Sequence, residues 1–233
     1  MQIFFILGIP MLLVLGVFLF KRPVIFGIVN ALAYLAVLFL SVVLLKKIAL
    51  TPGMFFSSGF IYLDTLSVLF IFVISVVTFA AALYSIGYIR KDIEGMVISQ
   101  RKARIYYLLF NLFSFSMLLV PAVNNLGMLW VAIEMTTLIS AFLVGFYNTK
   151  DSVEAAWKYI IICSVGIIFA LLGTILFSYA YSFSGGVKTL NWSDMFAAAG
   201  GMDKNTLKIA CEKSLIAEVK KVKGVPYAMI FRL

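Results

Sequence analysis

The stretch NLGMLWVAIEMTTLISAFLVGFY, residues 125–147, decides the fold class of this chain. It is an almost unbroken apolar run, and a helix needs about 20 such residues to cross the hydrocarbon core of a bilayer. Glu134 lies at its middle, where a charged carboxylate costs roughly 2.5–3.5 kcal/mol on insertion scales. A group this costly needs a reason, and the handling of a proton or an ion is the default hypothesis.

The composition extends this membrane assignment to the whole chain. Of the 233 residues, 64% are apolar and 12% are charged, and the mean hydropathy is +1.09. A soluble domain of this size cannot bury so much apolar surface, so we expect a polytopic membrane protein. Histidine is absent, which excludes histidine metal sites, haem ligation by histidine and Ser-His catalysis. Cys163 and Cys211 have no metal-site spacing, and we expect neither a cofactor nor a catalytic site in this chain.

Six hydrophobic spans predict an all-α bundle. They run at about 3–20, 23–45, 64–88, 106–120, 125–147 and 156–181. Short connections make neighbouring helices antiparallel, so we expect an up-and-down arrangement. The first span has no positively charged segment before it, and we interpret it as a retained helix rather than a signal peptide. Residues 182–233 are predicted to form a polar tail, with an interfacial stretch at 191–194, a short helix capped at Asp203 and a basic amphipathic helix after Cys211.

The distribution of Lys and Arg predicts the orientation in the cell membrane. The first, third and fifth connections carry eight of these residues, including Lys21, Arg22 and a cluster at residues 90–104, whereas the second and fourth carry two. By the positive-inside rule, the odd connections face the cytoplasm and the N-terminus lies outside. The cluster is interpreted as a topology determinant and a contact for lipid headgroups.

A helical wheel places Glu134 on a face of mostly small and polar residues. This face contains Gly127, Trp130, Thr137, Leu138, Ala141 and Gly145. Small residues let a second helix approach closely, so we expect Glu134 to point into the bundle with Thr137 as an available hydrogen-bond partner. Two interpretations stay open: a titrating group tuned by burial and nearby charge, or a structural glutamate that is permanently protonated or paired.

Three further charged residues accompany Glu134 in the spans or at their ends. Lys158 either pairs with Glu154, one turn earlier, near the membrane interface, or reaches inward towards Glu134. Asp64 opens the third span and is predicted chiefly to cap that helix.

Several strings resemble the proton-pumping membrane subunits of respiratory oxidoreductases. IEMTTLISAFLVGFY and EAAWKYIIICSVG, within residues 129–174, are most similar to the F-type branch of the hydrogenase-4 membrane subunits. LDTLSVLF at 63–70, LYSIGYI at 83–89 and LNWSDMF at 190–196 fit the same family, and the resemblance covers about residues 1–210. Related proteins occur in NADH–quinone oxidoreductase and in multisubunit cation/proton antiporters.

The resemblance implies an antiporter-like fold and a role in proton translocation driven by redox chemistry in partner membrane subunits. Glu134 matches the family's functional glutamate on the fifth helix, and Lys158 matches its sixth-helix lysine. Thr137, Glu154 and Asp64 are expected to support this pair. The resemblance implies no cofactor in this chain and no nucleic-acid partner.

Full members of that family continue into a further helix that carries a lysine, and then into a second repeat. Nothing in this chain matches that helix, so we expect a truncated chain that holds part of one half-channel, with an unrelated end after about residue 210. A non-transporting scaffold, an inactive gene product and a subunit of a Na⁺/H⁺ antiporter are the alternatives. The choice between H⁺ and Na⁺ stays open.

Overall fold

The computed structural model describes residues 2–20, 23–50, 56–58, 60–183 and 190–194. Its six helices are α1 Gln2–Leu19, α2 Pro23–Leu50, α3 Thr65–Glu94, α4 Gln100–Leu119, α5 Leu126–Val144 and α6 Lys150–Phe183. Each contains a stretch long and apolar enough to cross a membrane, which confirms the predicted helical bundle. Lys21, Arg22 and the predicted helices after residue 194 lie outside the described residues.

Polar side chains mark where the helices begin. Asp64 caps α3, Ser99 caps α4 and Asn125 caps α5, in each case by accepting a bond from a backbone N–H of the first turn. The first N–H groups of a helix have no partner within the helix, so these caps satisfy them. Helix α4 begins at Gln100 and α6 at Lys150, ahead of the apolar runs that start near 106 and 156. Hydropathy marks where a helix enters the bilayer, and the helix itself extends further.

Helices α1 to α4 form the most buried part of the bundle. Helix α2 packs along α3 and α1 packs along α4. Tyr34 of α2 is fully buried, and its hydroxyl donates to Oδ1 of Asn111 on α4 at 2.9 Å, so two polar groups in the core satisfy each other. Helix α5 packs against α4, and α6 packs mainly against α5, so α6 lies at the edge of the described bundle.

A short β-hairpin adds to the predicted all-α fold. Strands β1 Phe56–Ser58 and β2 Ile61–Leu63 pair antiparallel. Val123, which follows a 3₁₀ turn after α4, forms a bridge with Ile61. The N–H of Asn124 donates to the carbonyl of Phe60 at 2.9 Å. The segments are too short to show the two-residue alternation of a strand, so the sequence did not predict them.

The segment 190–194 docks at the same end of the bundle. The N–H of Leu126 donates to the carbonyl of Leu190 at 2.9 Å, and the N–H of Trp192 donates to the carbonyl of Asn124 at 2.8 Å. The Asn124 side chain donates to Ser193 Oγ at 3.0 Å and accepts from the Ser193 N–H at 3.1 Å. Residues 123–125, here the central strip, are therefore bonded to the hairpin on one side and to 190–194 on the other.

The two ends of the bundle differ in character. We call the end that holds the hairpin, the central strip and residues 190–194 the β face. The opposite end holds the α1–α2, α3–α4 and α5–α6 connections, and we call it the basic face.

Replacing Asn124 by alanine should release the segment 190–194. The variant loses both side-chain bonds to Ser193, so we expect the backbone amides of residues 190–194 to exchange with solvent about tenfold faster, measured by hydrogen exchange in detergent. Ser193→Ala loses only the bond to the hydroxyl and should show a smaller increase. Unchanged exchange in Asn124→Ala would contradict this role.

Candidate functional site

Glu134 lies in the seam between α5 and α6, and its carboxyl group is only partly satisfied. The Ser164 hydroxyl on α6 donates to Oε1 at 3.4 Å, which is long against about 2.7 Å for an ordinary O–H···O bond. Oε2 is buried and has no hydrogen-bond partner among the described residues. An uncompensated buried charge costs far more than a neutral carboxylic acid. These surroundings therefore suit a group that takes up a proton.

Trp130 lies one turn before Glu134 on the same face of α5. Its indole Nε1 is also buried without a hydrogen-bond partner in the described part of the chain. A donor and an acceptor that both lack partners thus lie on the face that the wheel predicts. At the end of this face, a methyl group added at Gly145 would lie 3.4 Å from Cβ of Ala156, so a small residue brings α5 and α6 together there. Leu138 departs from the pattern and is 39% exposed.

Thr137 binds the backbone of Glu134 rather than its carboxylate. Its hydroxyl donates to the Glu134 carbonyl at 2.8 Å, and the neighbouring Thr136 donates in the same way to the carbonyl of Ala132 at 2.9 Å. A hydroxyl inside a membrane helix finds its nearest acceptor in the preceding turn, which explains the geometry. Thr137 therefore supports the helix at Glu134 without bonding to the carboxylate.

Lys158 is paired with Glu154 and is not in contact with Glu134. Its Nζ lies 2.6 Å from Oε1 of Glu154, and the two side chains are 70% and 56% exposed. Ser164, the α6 residue beside Glu134, follows Lys158 by six residues, or about 9 Å along the helix axis. Of the two sequence interpretations of Lys158, the structure therefore has the pair with Glu154.

Asp64 lies near the β face, away from the α5–α6 seam. Its Oδ1 accepts the Ser67 N–H at 2.7 Å, as the predicted cap requires. The residue also borders a mainly apolar cavity of about 660 Å³ between α3 and α5, which extends to Thr136 and Thr137. Within the described ranges, no group of three or more His, Cys, Asp or Glu residues could hold a metal ion.

A cluster at the basic face was not predicted as a site. Tyr147, in the α5–α6 connection, donates to Oδ2 of Asp92 at 2.6 Å and is hydrogen-bonded to Tyr88 of α3. Burial, and then the bonds to Asp92 and Tyr88, raise the pKa of Tyr147 above its ordinary value. The string LYSIGYI contains Tyr88, but nothing in it indicates a partner 59 residues away.

The comparisons with known proteins agree on one superfamily. A family model described as "NADH-Ubiquinone oxidoreductase (complex I), chain 5 N-terminus" matches residues 51–95. The hydrogenase-4 component F homolog of Methylacidiphilum infernorum is 36% identical over 73% of this chain. The chain belongs to the superfamily of antiporter-like membrane subunits of complex I and hydrogenase-4. This confirms the resemblance inferred from the sequence.

Other relatives cover the range of this superfamily. Subunit L of the Neisseria meningitidis NADH-quinone oxidoreductase is 31% identical over 67% of this chain and 22% of its own length. The Na(+)/H(+) antiporter subunit A1 of Staphylococcus haemolyticus is 38% identical over 52% of this chain and 14% of its own length. The chain spans 35% of the hydrogenase-4 component F homolog, so it corresponds to about a third of that relative.

A solved structure supports the fold. A chain of the membrane-bound sulfane sulfur reductase (MBS), an archaeal respiratory membrane complex, matches 90% of this chain with a TM-score of 0.64 and 21% sequence identity. The match covers 42% of that chain. The six-helix arrangement is therefore one that a membrane complex contains.

Removing the Tyr147 hydroxyl should lower stability in a pH-dependent way. Tyr147→Phe loses the bond to Asp92, so we expect the free energy of unfolding in detergent at pH 7 to fall by about 1–3 kcal/mol. Because the pKa of Tyr147 is higher in the folded state than its value of about 10 in the unfolded state, this contribution is full below about pH 10 and is lost as the pH rises above it.

Tyr84→Phe is the matched control, since the Tyr84 side chain of the same cluster is largely exposed. Unfolding of the wild type and both variants is measured at several values between pH 7 and 11. A difference between wild type and Tyr147→Phe that is absent at pH 7, or that grows above pH 10, would contradict the role of the bond.

Proposed function

We propose that this chain contributes part of a proton-translocating membrane subunit in a hydrogenase-4 or NADH–quinone oxidoreductase type complex. Glu134 is the group that binds the proton, and redox chemistry in partner membrane subunits drives the movement. The observation that carries the proposal is the buried Oε2 of Glu134, which has no hydrogen-bond partner among the described residues. Membership of the antiporter-like superfamily supports it.

The depth of Glu134 suits this role. It follows the α5 cap, Asn125, by nine residues, which is about 13 Å along the helix and close to the middle of a hydrocarbon core of about 30 Å. A carboxylate at this depth is costly, and such residues in membrane proteins usually lie on proton or ion paths. The weak bond from Ser164 leaves the carboxyl group free to change between its protonated and ionised forms.

Lys158 acts as a modulator from its position beside Glu154. At a separation of about 10 Å and an effective dielectric constant of about 20, one charge changes the energy of another by about 1.7 kcal/mol. This is enough to change the proton occupancy of Glu134 about tenfold without direct contact. Exchange of the exposed Lys158 between Glu154 and solvent would vary this effect.

Two other functions remain alternatives. A scaffold that only holds neighbouring subunits would need the apolar surface of α6 but not a carboxylate in the seam. An antiporter subunit is favoured by the likeness to the Staphylococcus haemolyticus protein, whose name gives Na⁺ and H⁺ as the ions. By the positive-inside rule, we place the basic face in the cytoplasm in either case.

Glu134→Gln should abolish proton uptake coupled to electron transfer. The amide keeps the size and polarity of the side chain but binds no proton, so we expect uptake per electron in vesicles containing the assembled complex to fall about 100-fold. Glu94→Gln, an exposed carboxylate paired with Arg90, is the control and should retain uptake. Normal assembly with unchanged uptake in Glu134→Gln would favour the scaffold. Uptake that requires Na⁺ would favour the antiporter.

Lys158→Met should slow proton uptake while leaving assembly intact. Removing a charge about 10 Å from Glu134 is expected to change the uptake rate about tenfold, less than Glu134→Gln does. Lys150→Met removes a charge from the exposed start of the same helix and should have little effect. Equal rates in the wild type and Lys158→Met would contradict the modulating role.

A further inference from the structure

A small cavity at the basic face lies between the end of α1 and the start of α4. Its volume is about 250 Å³, on the order of the space of eight water molecules. The lining residues are Val17, Phe18, Arg101, Arg104, Ile105 and Leu108. Two guanidinium groups and four apolar side chains therefore border one cavity.

Arg104 is the residue of this cavity that lacks a partner. Its Nε is buried and makes no hydrogen bond to any residue that the structure describes. The nearby carboxylates of α3 are engaged elsewhere, because Glu94 pairs with Arg90 at 2.7 Å and Asp92 accepts from Tyr147 at 2.6 Å. A buried guanidinium N–H without an acceptor is costly, so an anionic ligand is expected to supply one.

The lining residues change from charged to apolar along α4. Arg101, Arg104, Ile105 and Leu108 have the spacing of one helix face, and Leu108 lies about 10 Å deeper in the bundle than Arg101. Phe18 and Ile105 are 70% and 46% exposed, so the apolar part faces the space that lipid occupies. This sequence of groups matches a phospholipid, with a phosphate at the polar end and acyl chains at the other.

We propose that this cavity binds an anionic phospholipid of the leaflet at the basic face, with its phosphate held by Arg101 and Arg104. The planar guanidinium of arginine donates two parallel N–H bonds to a phosphate, which gives it more specificity than a lysine. The acyl chains lie along Phe18, Ile105 and Leu108. This site is separate from the Glu134 seam and does not depend on proton translocation.

The test is native mass spectrometry of the full chain in mild detergent, titrated with phosphatidylglycerol and with phosphatidylcholine of the same acyl chains. We expect the wild type to prefer phosphatidylglycerol. The variant Arg101→Gln/Arg104→Gln should bind it about tenfold more weakly. The control Lys91→Gln/Lys102→Gln removes the same charge from exposed residues at the same face that do not line the cavity, and should lose about twofold or less.

Arg104→Lys keeps the charge but loses the paired donors, and intermediate binding would support the site. Circular dichroism of every variant confirms that it retains the helices, and Arg104→Lys alone carries the test if the double variant does not fold. Equal losses in the two double variants would show general charge attraction and overturn the proposal. No preference for phosphatidylglycerol would also overturn it, as would displacement of the lipid by an equal concentration of inorganic phosphate.

Discussion

The hydrogen bonds of the central strip, residues 123–125, determine where α5 begins and how deep its residues lie. Val123 and Asn124 bind the hairpin, Asn124 binds residues 192 and 193, and Asn125 caps α5 with its own side chain. Backbone groups at a membrane boundary need partners as helices do, and the strip supplies them for three segments at once. With α5 fixed at Asn125, Glu134 must lie about 13 Å further along the helix, near mid-membrane.

The sequence predicted the helices better than their connections. Long apolar runs identify membrane helices because the bilayer permits no exposed backbone polar group, and all six were found. The hairpin and its bridges were missed because each segment has only three or so residues, and because Asn124 and Ser193 are 69 residues apart. Such pairing depends on tertiary structure. The caps at Asp64 and Asn125 mark helix starts locally, and the Asp64 cap was predicted.

The candidate site shows the same division. The wheel placed Glu134 towards a neighbouring helix, because the direction of a side chain follows from its position in the helix. It could not identify Ser164 as the contact on α6, since that depends on the rotation and register of the second helix. Lys158 was left open between two partners, and the nearer one, Glu154 on the same helix, is the partner in the structure. Local pairs at this spacing need no tertiary packing.

The central claim is that the Glu134 carboxyl group changes protonation state within the α5–α6 seam. Infrared difference spectroscopy of the wild type and Glu134→Gln across a pH titration measures this directly, because a protonated carboxylic acid has a carbonyl stretch that a carboxylate lacks. The account predicts a carbonyl band that disappears as the pH rises, that is missing in Glu134→Gln, and whose frequency changes in Ser164→Ala. A Glu134 band that stays constant over the whole pH range in which the protein remains folded would contradict it and indicate a structural glutamate.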